Sequence, residues 1–247
     1  MNTLRSIGPL LLSLLCASAQ AQLGTEVCGT LRNAFGPYDY RADHQKASLD
    51  NLSYMEKRKL VEGAHFTARV EALIGAESGE RQGPPGADID YTLRAFPNNH
   101  RALLAMKGLG EKDRAERPVG AKFTVECYME RAIRFAPDDA IVRIIYSTFL
   151  AKKNRMSEAI EQLDQASKLA ESSGFTHYNI GLTFFDLKRY DKALASAHHA
   201  MAAGFERSEL ADKLKAVAQW REPVAAEGSP SASAASAAAP TAEPAKP

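Results

Sequence analysis

Three alanines in the second half of the chain recur at an interval of 34 residues: Ala132, Ala166 and Ala200. Seven residues before each of them, at the same interval, stand Val125, Ala159 and Ala193. Two antiparallel helices can approach closely only where their facing side chains are small. A period of this length is typical of stacked helix pairs, because one pair alone cannot bury its apolar face.

The last unit carries the most complete pattern, "HYNIGLTFFDLKRYDKALASAHHAMAAGF" from His177 to Phe205. It resembles the tetratricopeptide repeat (TPR), whose signature runs W-x2-L-G-x2-Y, then A-x3-F, then P. Five places fit this signature: Ile180-Gly181, Phe184, the turn aromatic Tyr190, Ala193 and Ala200. Three places depart from it, where His177, Ala197 and Phe205 replace the tryptophan, the phenylalanine and the proline.

Earlier units match less completely. One has Ser147 in the glycine position with Ala159 and Ala166, and the unit before it retains Ala132 and Pro137. Pro97 lies 40 residues before Pro137, so six extra residues are expected in a longer loop within 108–121. After the last unit, "ERSELADKLKAVAQW" predicts an amphipathic capping helix that ends at Trp220. The fold class predicted is therefore all-α: a TPR-like helical-repeat solenoid of about three helix pairs plus a cap.

Four segments are expected along the chain. Residues 1–21 read as a signal peptide cleaved after Ala21, because an apolar run too short to span a bilayer ends in an A-x-A site. Cys16 leaves lipidation as an alternative. Residues 22–87 form an irregular or helical N-terminal segment, 88–222 the repeats and cap, and 223–247 a disordered tail rich in Ala, Pro and Ser. The mature chain is expected to be exported and periplasmic, without an integral membrane span.

Cleavage after Ala21 would leave two cysteines, Cys28 and Cys127. An even pair in an oxidising compartment predicts a structural disulfide. The alternative is a redox pair, although the chain has no C-x-x-C motif.

The N-terminal segment contains one clear helical pattern, "YMEKRKLVEGAHFTARVEALIGA", with apolar residues close to helical spacing. A Gly- and Pro-rich loop beginning at Glu77 ends it, and Asp88 is expected to be the N-cap of the following helix. Cys28 to Leu49 shows no period. We expect an irregular segment there, held to the repeats by the disulfide.

The TPR resemblance implies a concave groove, lined by the first helix of each pair, that binds an extended peptide or a partner helix. The groove positions in the last unit would be Phe175, Tyr178, Asn179, Leu182, Phe185 and Asp186. In the unit before it they would be Ile141, Ile144, Thr148, Ala151 and Lys152. Core packing of any of these residues is the open alternative. A carboxylate clamp is not predicted, because Ile144 and Thr148 stand where polar groups would be expected.

Motifs of catalysis are absent from the sequence, which has no H-E-x-x-H, G-x-S-x-G, phosphate-binding or dinucleotide-binding signature. We therefore predict no catalytic residue, no cofactor and no metal ligand. The most notable histidine is His65, which follows Glu62 by three residues on one helix face and suggests an ion pair, or otherwise a metal or acid-base role. "PYDYR", residues 37–41, is either a recognition loop or a packed turn.

Two functions remain open at the level of sequence. The near balance of 31 basic and 30 acidic residues argues against nucleic acid as a partner. The favoured hypothesis is a non-catalytic scaffold of the cell envelope that binds another protein or peptide in its groove. The alternative is an accessory subunit or enzyme with a site around Glu62, His65 and "PYDYR", in which the repeats serve as a docking arm. The oligomeric state is left open.

Overall fold

The computed structural model describes residues 28–42, 52–75 and 83–223. The signal peptide expected at residues 1–21 lies outside this part of the chain, as does the tail beyond Pro223. The described residues form ten helices and no strand, which confirms the all-α prediction. None of these helices has the length and apolar character needed to cross a bilayer.

The helices of the described ranges follow one another in this order along the chain. They are α1 (Tyr54–His65), α2 (Ala68–Glu71), α3 (Pro85–Ala95), α4 (His100–Asp113), α5 (Val125–Phe135), α6 (Ala140–Lys152), α7 (Met156–Leu169), α8 (Gly174–Asp186), α9 (Tyr190–Ala202) and α10 (Glu209–Ala216).

Polar N-caps begin the helices α4, α6 and α8 at related positions. The side chain of Asn99 accepts a hydrogen bond from the backbone N–H of Ala102 in α4. Asp139 caps α6 and Ser173 caps α8 in the same way. These caps satisfy backbone donors that have no partner inside the helix. They lie 40 and 34 residues apart, so the local geometry follows the spacing seen in the sequence.

Left-handed residues end the first helix of each pair at the same two intervals. Arg114, Asn154 and Lys188 have φ angles of 52°, 59° and 57°. The longer first interval reflects the extra residues between α4 and α5. The sequence placed the longer loop within 108–121, but α4 continues to Asp113, so the connection spans 114–124. α6 packs along α7, and α8 packs along α9, as consecutive helix hairpins.

Small residues lie where the hairpin helices cross. Ser147, Ala159 and Ala193 are fully buried, and Gly181 faces Ser196 and the backbone of Ala193. Two apolar clusters fill the space between neighbouring hairpins, one centred on α3 to α6 and the other on α7 to α10. The predicted cap is present as α10, whose buried leucines Leu210 and Leu214 pack on α8 and α9.

The N-terminal part corrects two details of the sequence prediction. α3 begins at Pro85 with Pro84 as its N-cap, so Asp88 lies inside the helix and is not its cap. Proline is favoured in this first turn because its missing N–H has no partner to lose there. The expected boundary at residue 88 thus falls within α3, which packs against α1.

The single long helix expected after Tyr54 is interrupted. α1 ends at His65 and α2 begins after Thr67, whose hydroxyl accepts a hydrogen bond from the N–H of Val70. The break turns Phe66 and Val70 into the core and leaves Ile74 exposed.

Residues 29–42 contain no helix and are held against α5 and the loop before α4. The Cys28–Cys127 disulfide is formed, with an S–S distance of 2.07 Å. The buried guanidinium of Arg131 donates to the carbonyls of Cys28 at 2.9 Å and Thr30 at 2.6 Å, and Arg134 donates to that of Gly29 at 3.0 Å. The bridge and the two arginines together anchor the start of the described chain.

Candidate functional site

The residues predicted to line a groove do not share one environment. Phe175 and Asp186 are exposed, whereas Thr148, Asn179, Leu182 and Phe185 are partly buried. All of them lie on α6 or α8, the first helices of two successive hairpins. An accessible surface therefore exists on these helices, but it does not include every predicted position.

Ile144 and Tyr178 differ from the prediction, because both are buried. The Tyr178 ring packs on Phe205 with 5.0 Å between ring centroids, and its hydroxyl donates to Glu209 at 3.1 Å. Burial and the neighbouring Glu209 raise the pKa of this tyrosine. Both residues belong to the core cluster of the last hairpin. For Tyr178 the reason is that Phe205 and Glu209, from the segment that leads into α10, pack on it.

Phe185 is supported from two sides. Its ring lies 5.3 Å from that of Tyr190, and the ammonium of Lys213 lies 5.6 Å from its centroid. Nearby polar groups on the same face are occupied by their own helices: Thr148 donates to the carbonyl of Ile145 at 2.7 Å, and Asn179 donates to that of Phe175 at 2.7 Å. This face therefore offers apolar and aromatic contact area more than free hydrogen-bond donors.

A cleft of about 630 Å³ opens between the end of α4, the start of α5 and the end of α6. Its lining comprises Lys107, Gly110, Glu111, Arg114, Ala115, Glu116, Thr124, Val125, Glu126, Phe149, Lys152, Lys153 and Arg155. This volume lies within the range of sites that accept a small ligand or a few side chains. Of these residues, only Lys152 was predicted as a groove position, and Val125 stood out only for its repeat interval. The longer loop expected within 108–121 was the other signal for this place.

Charged side chains form the rim of the cleft. Lys107 and Lys152 share one carboxylate, Glu111, at 3.1 Å and 2.6 Å. Burial raises the pKa of Glu111, but hydrogen bonds from the two lysines outweigh it and the net shift is downward. On the opposite side, Arg155 pairs with both Glu126 and Glu158. On one side of the rim, the single carboxylate of Glu111 faces two cations. On the other side, the single cation of Arg155 faces two carboxylates. The first side is therefore the more positive of the two.

Apolar side chains form the floor of the cleft. Phe149 and Val125 are both buried in the core while contributing to the lining. Val125 lies so close to Gly110 that a side chain there would collide with it. The absence of a side chain at Gly110 thus lets the first turn of α5 pack onto α4.

The residues of the alternative functional hypothesis form separate contacts. His65 does not pair with Glu62 as expected: its Nδ1 lies 2.9 Å from Asp88, and its ring stacks on Tyr91 with 4.0 Å between centroids. Glu62 instead accepts a hydrogen bond from the side chain of Asn99 at 3.2 Å. Neither Glu62 nor His65 lines the cleft.

The "PYDYR" segment forms a packed turn. Asp39 accepts hydrogen bonds from Arg41 and from the buried side chain of Asn98, the latter at 2.7 Å. Arg41 also donates to Asp138, and the N–H of Tyr40 donates to Asn98 at 2.9 Å. These contacts dock the segment onto the turns that precede α4 and α6, so its polar groups serve the fold.

One group of at least three potential metal ligands occurs in the described ranges: Cys28, Cys127 and Glu130. Both sulfur atoms belong to the disulfide, and a metal is bound by thiolates, not by a disulfide. In this oxidised form, the group is a covalent crosslink beside a partly buried carboxyl.

Comparisons of the chain with models of protein families, with curated proteins and with solved structures find no match.

Proposed function

We propose that this protein is a non-catalytic interaction scaffold whose hairpins act as TPR-like repeats and whose first helices receive an extended peptide or a helix of a partner. The observation that carries the proposal is the character of that face. Large apolar side chains stand exposed on two of the first helices: Leu104 on α4 is 51% exposed and Phe175 on α8 is 57% exposed. Accessible aromatic and aliphatic groups suit partner side chains.

The repeated local geometry supports the assignment to TPR-like hairpins. Polar caps, left-handed turn residues and small residues at the helix crossings recur at the same sequence intervals. Stacked helix pairs of this kind offer an extended surface instead of an enclosed reaction centre.

The place of action is proposed to be the cell envelope, after export. The disulfide between Cys28 and Cys127 is compatible with an oxidising compartment, and the sequence of residues 1–21 has the pattern of a signal peptide.

Site-specific photo-crosslinking in the native host tests the proposal. A photoreactive phenylalanine analogue is introduced at Phe175 or at Thr148, both on first helices. We expect each position to capture the same partner. Matched control positions on second helices are Met156 of α7, which is 43% exposed, and Ala195 of α9. These should capture nothing in common with the first-helix positions. Equal capture at all four positions, or capture only at the controls, would overturn the proposal.

A second measurement links capture to contact. Thr148→Arg places a long side chain on the first-helix face, and Ala195→Arg places the same side chain on an exposed site of a second helix. We expect the first substitution to abolish capture from Phe175 and the second to leave it intact, with both variants folded by circular dichroism. Undiminished capture in the Thr148→Arg variant would mean that the partner does not lie across α6.

A further inference from the structure

The rim of the 630 Å³ cleft carries more positive than negative side chains: Lys107, Arg114, Lys152, Lys153 and Arg155 against Glu111, Glu116 and Glu126. The excess is concentrated at the α4 side. There, Lys107 and Lys152 converge on the single carboxylate of Glu111, and no described residue forms an ion pair with Arg114.

The protein neutralises the rest of the rim itself. Lys153 lies 3.9 Å from Glu116, while Arg155 bridges Glu126 and Glu158. A second anion would therefore be favoured on the side of the cleft that is lined by Lys107, Lys152 and Arg114. The same cleft has apolar lining residues, Phe149 and Val125, and the ammonium of Lys153 lies 5.8 Å from the centroid of the Phe149 ring.

We propose that the cleft binds an acidic segment of the partner protein, in which a Glu or Asp carboxylate lies next to an aliphatic side chain. The carboxylate pairs with the uncompensated cations of the α4 side, and the aliphatic group rests on Phe149. This inference rests on the proposed scaffold function and names the chemistry of the partner. It differs from the groove expected on α6 and α8, which is largely apolar.

Charge complementarity favours an acidic peptide over other occupants. A basic segment would be repelled by the excess of cations. A purely apolar segment would cover the ammonium of Lys107, whose side chain is only 14% exposed, without replacing its lost hydration. The volume of the cleft accommodates a few side chains, which matches a short acidic motif.

The probe for the test is a fluorescein-labelled peptide, Gly-Glu-Leu-Glu-Gly-amide, measured by fluorescence anisotropy. Two comparison peptides replace both Glu residues by Gln, or Leu by Ser. We expect the Glu-Leu-Glu peptide to bind the oxidised protein most tightly, and its affinity to fall as the salt concentration rises. Binding that is equal for the Glu and Gln peptides, or undetectable for both, would overturn the acidic assignment.

A matched pair of variants locates the binding. Lys152→Gln with Arg114→Asn removes two rim charges, and asparagine tolerates the left-handed backbone of Arg114. Lys168→Gln with Lys188→Asn removes two exposed charges elsewhere, one of them at the corresponding left-handed turn after α8. We expect the cleft variant to weaken peptide binding about three- to tenfold and the control to leave it unchanged. Equal weakening in both variants would show nonspecific attraction and overturn the proposal.

The crosslinking experiment separates failure of this inference from failure of the scaffold function. If Phe175 and Thr148 still capture a partner but the peptides do not discriminate charge, only the acidic assignment fails. If the peptide binds at the cleft but first-helix positions capture no partner, the scaffold function fails. In that case the cleft binds anions, but its assignment to a partner protein fails as well.

Discussion

Gly181 of α8 lies directly against Leu210 of α10, and a Cβ atom at this glycine would also lie 3.1 Å from Cβ of Ser196. One residue position thus determines how closely the cap and the second helix of the last hairpin approach α8. Leu210 is almost fully buried, so it has little room to move away.

Valine substitutions at two helical glycines should therefore have different effects. Gly181→Val is expected to lower the free energy of unfolding by about 2 to 3 kcal/mol, because it overpacks a tight contact. A Cβ atom at Gly63 in α1 would meet no atom of another element within 4 Å, so Gly63→Val should change the free energy of unfolding by less than about 0.5 kcal/mol. Urea unfolding of the two variants measures both. Similar losses at the two glycines would show that the α8–α10 contact is loose.

Tyr178 and Phe175 should separate core packing from accessible surface within one helix. Tyr178→Ala removes a buried ring packed on Phe205 and is expected to cost about 3 kcal/mol of stability. Phe175→Ala removes a ring that is 57% exposed and should cost less than about 1 kcal/mol. Thermal unfolding provides the measurement. If the Tyr178→Ala variant were as stable as the parent, Tyr178 would not be packed in the core and would have to be an accessible groove residue.

The Cys28–Cys127 crosslink closes a loop with a sequence separation of 99 residues. Replacing both cysteines by serine should lower the free energy of unfolding by about 4 to 5 kcal/mol in the chain-entropy model. The contacts of Arg131 with the carbonyls of Cys28 and Thr30 should still favour docking of the segment in the folded variant. Denaturant unfolding with and without reductant gives the comparison. The parent should lose the same stability on reduction, whereas the serine variant should not respond to reductant.

Asp39 should make stability depend on pH in the acid range. Burial raises its pKa, but hydrogen bonds from Arg41 and Asn98 outweigh this and lower the pKa to about 2. A carboxyl with a lowered pKa in the folded state stabilises it above its unfolded pKa of about 4, and this contribution is lost as the pH falls towards about 2.

The corresponding test compares Asp39→Asn with the parent between about pH 2 and pH 7. We expect the variant to be less stable by roughly 1 to 2 kcal/mol at neutral pH, allowing for the partial exposure of the side chain, and the difference to shrink below about pH 4. Asp113→Asn is the control, since its exposed carboxylate accepts no hydrogen bond from the described residues. A gap between parent and Asp39→Asn that is constant with pH would contradict an ionised, hydrogen-bonded Asp39.

Periodic features of the fold were readable from sequence because each depends on neighbours close along the chain. The interval between Ala132, Ala166 and Ala200 predicted helix pairs, and the six extra residues before Pro137 predicted the long connection after α4. A helix period and a turn length are local properties, set by side-chain size and capping chemistry. The chain has three cysteines, and the pairing of Cys28 with Cys127 followed from assigning Cys16 to the expected signal peptide.

Accessibility of the candidate site could not be deduced in the same way. The sequence places Tyr178 and Phe185 on one helix face, but only the packing of Phe205 and Glu209 over Tyr178 separates a buried residue from a partly exposed one. His65 likewise bonds to Asp88, 23 residues away, and not to its helical neighbour Glu62. Such partners lie far apart in the chain and meet only after the helices have packed.

The sequence by itself determined the helices, their pairing interval and the crosslink, because small residues, caps and cysteines act through short-range geometry or through few possible partners. Tertiary structure alone decided which first-helix residues remain accessible and where uncompensated charge collects. Lys107 and Lys152 are 45 residues apart, yet they meet at Glu111 because α4 and α6 lie side by side. Burial and electrostatic balance are sums over all neighbours in space, and those neighbours are defined only once the chain has folded.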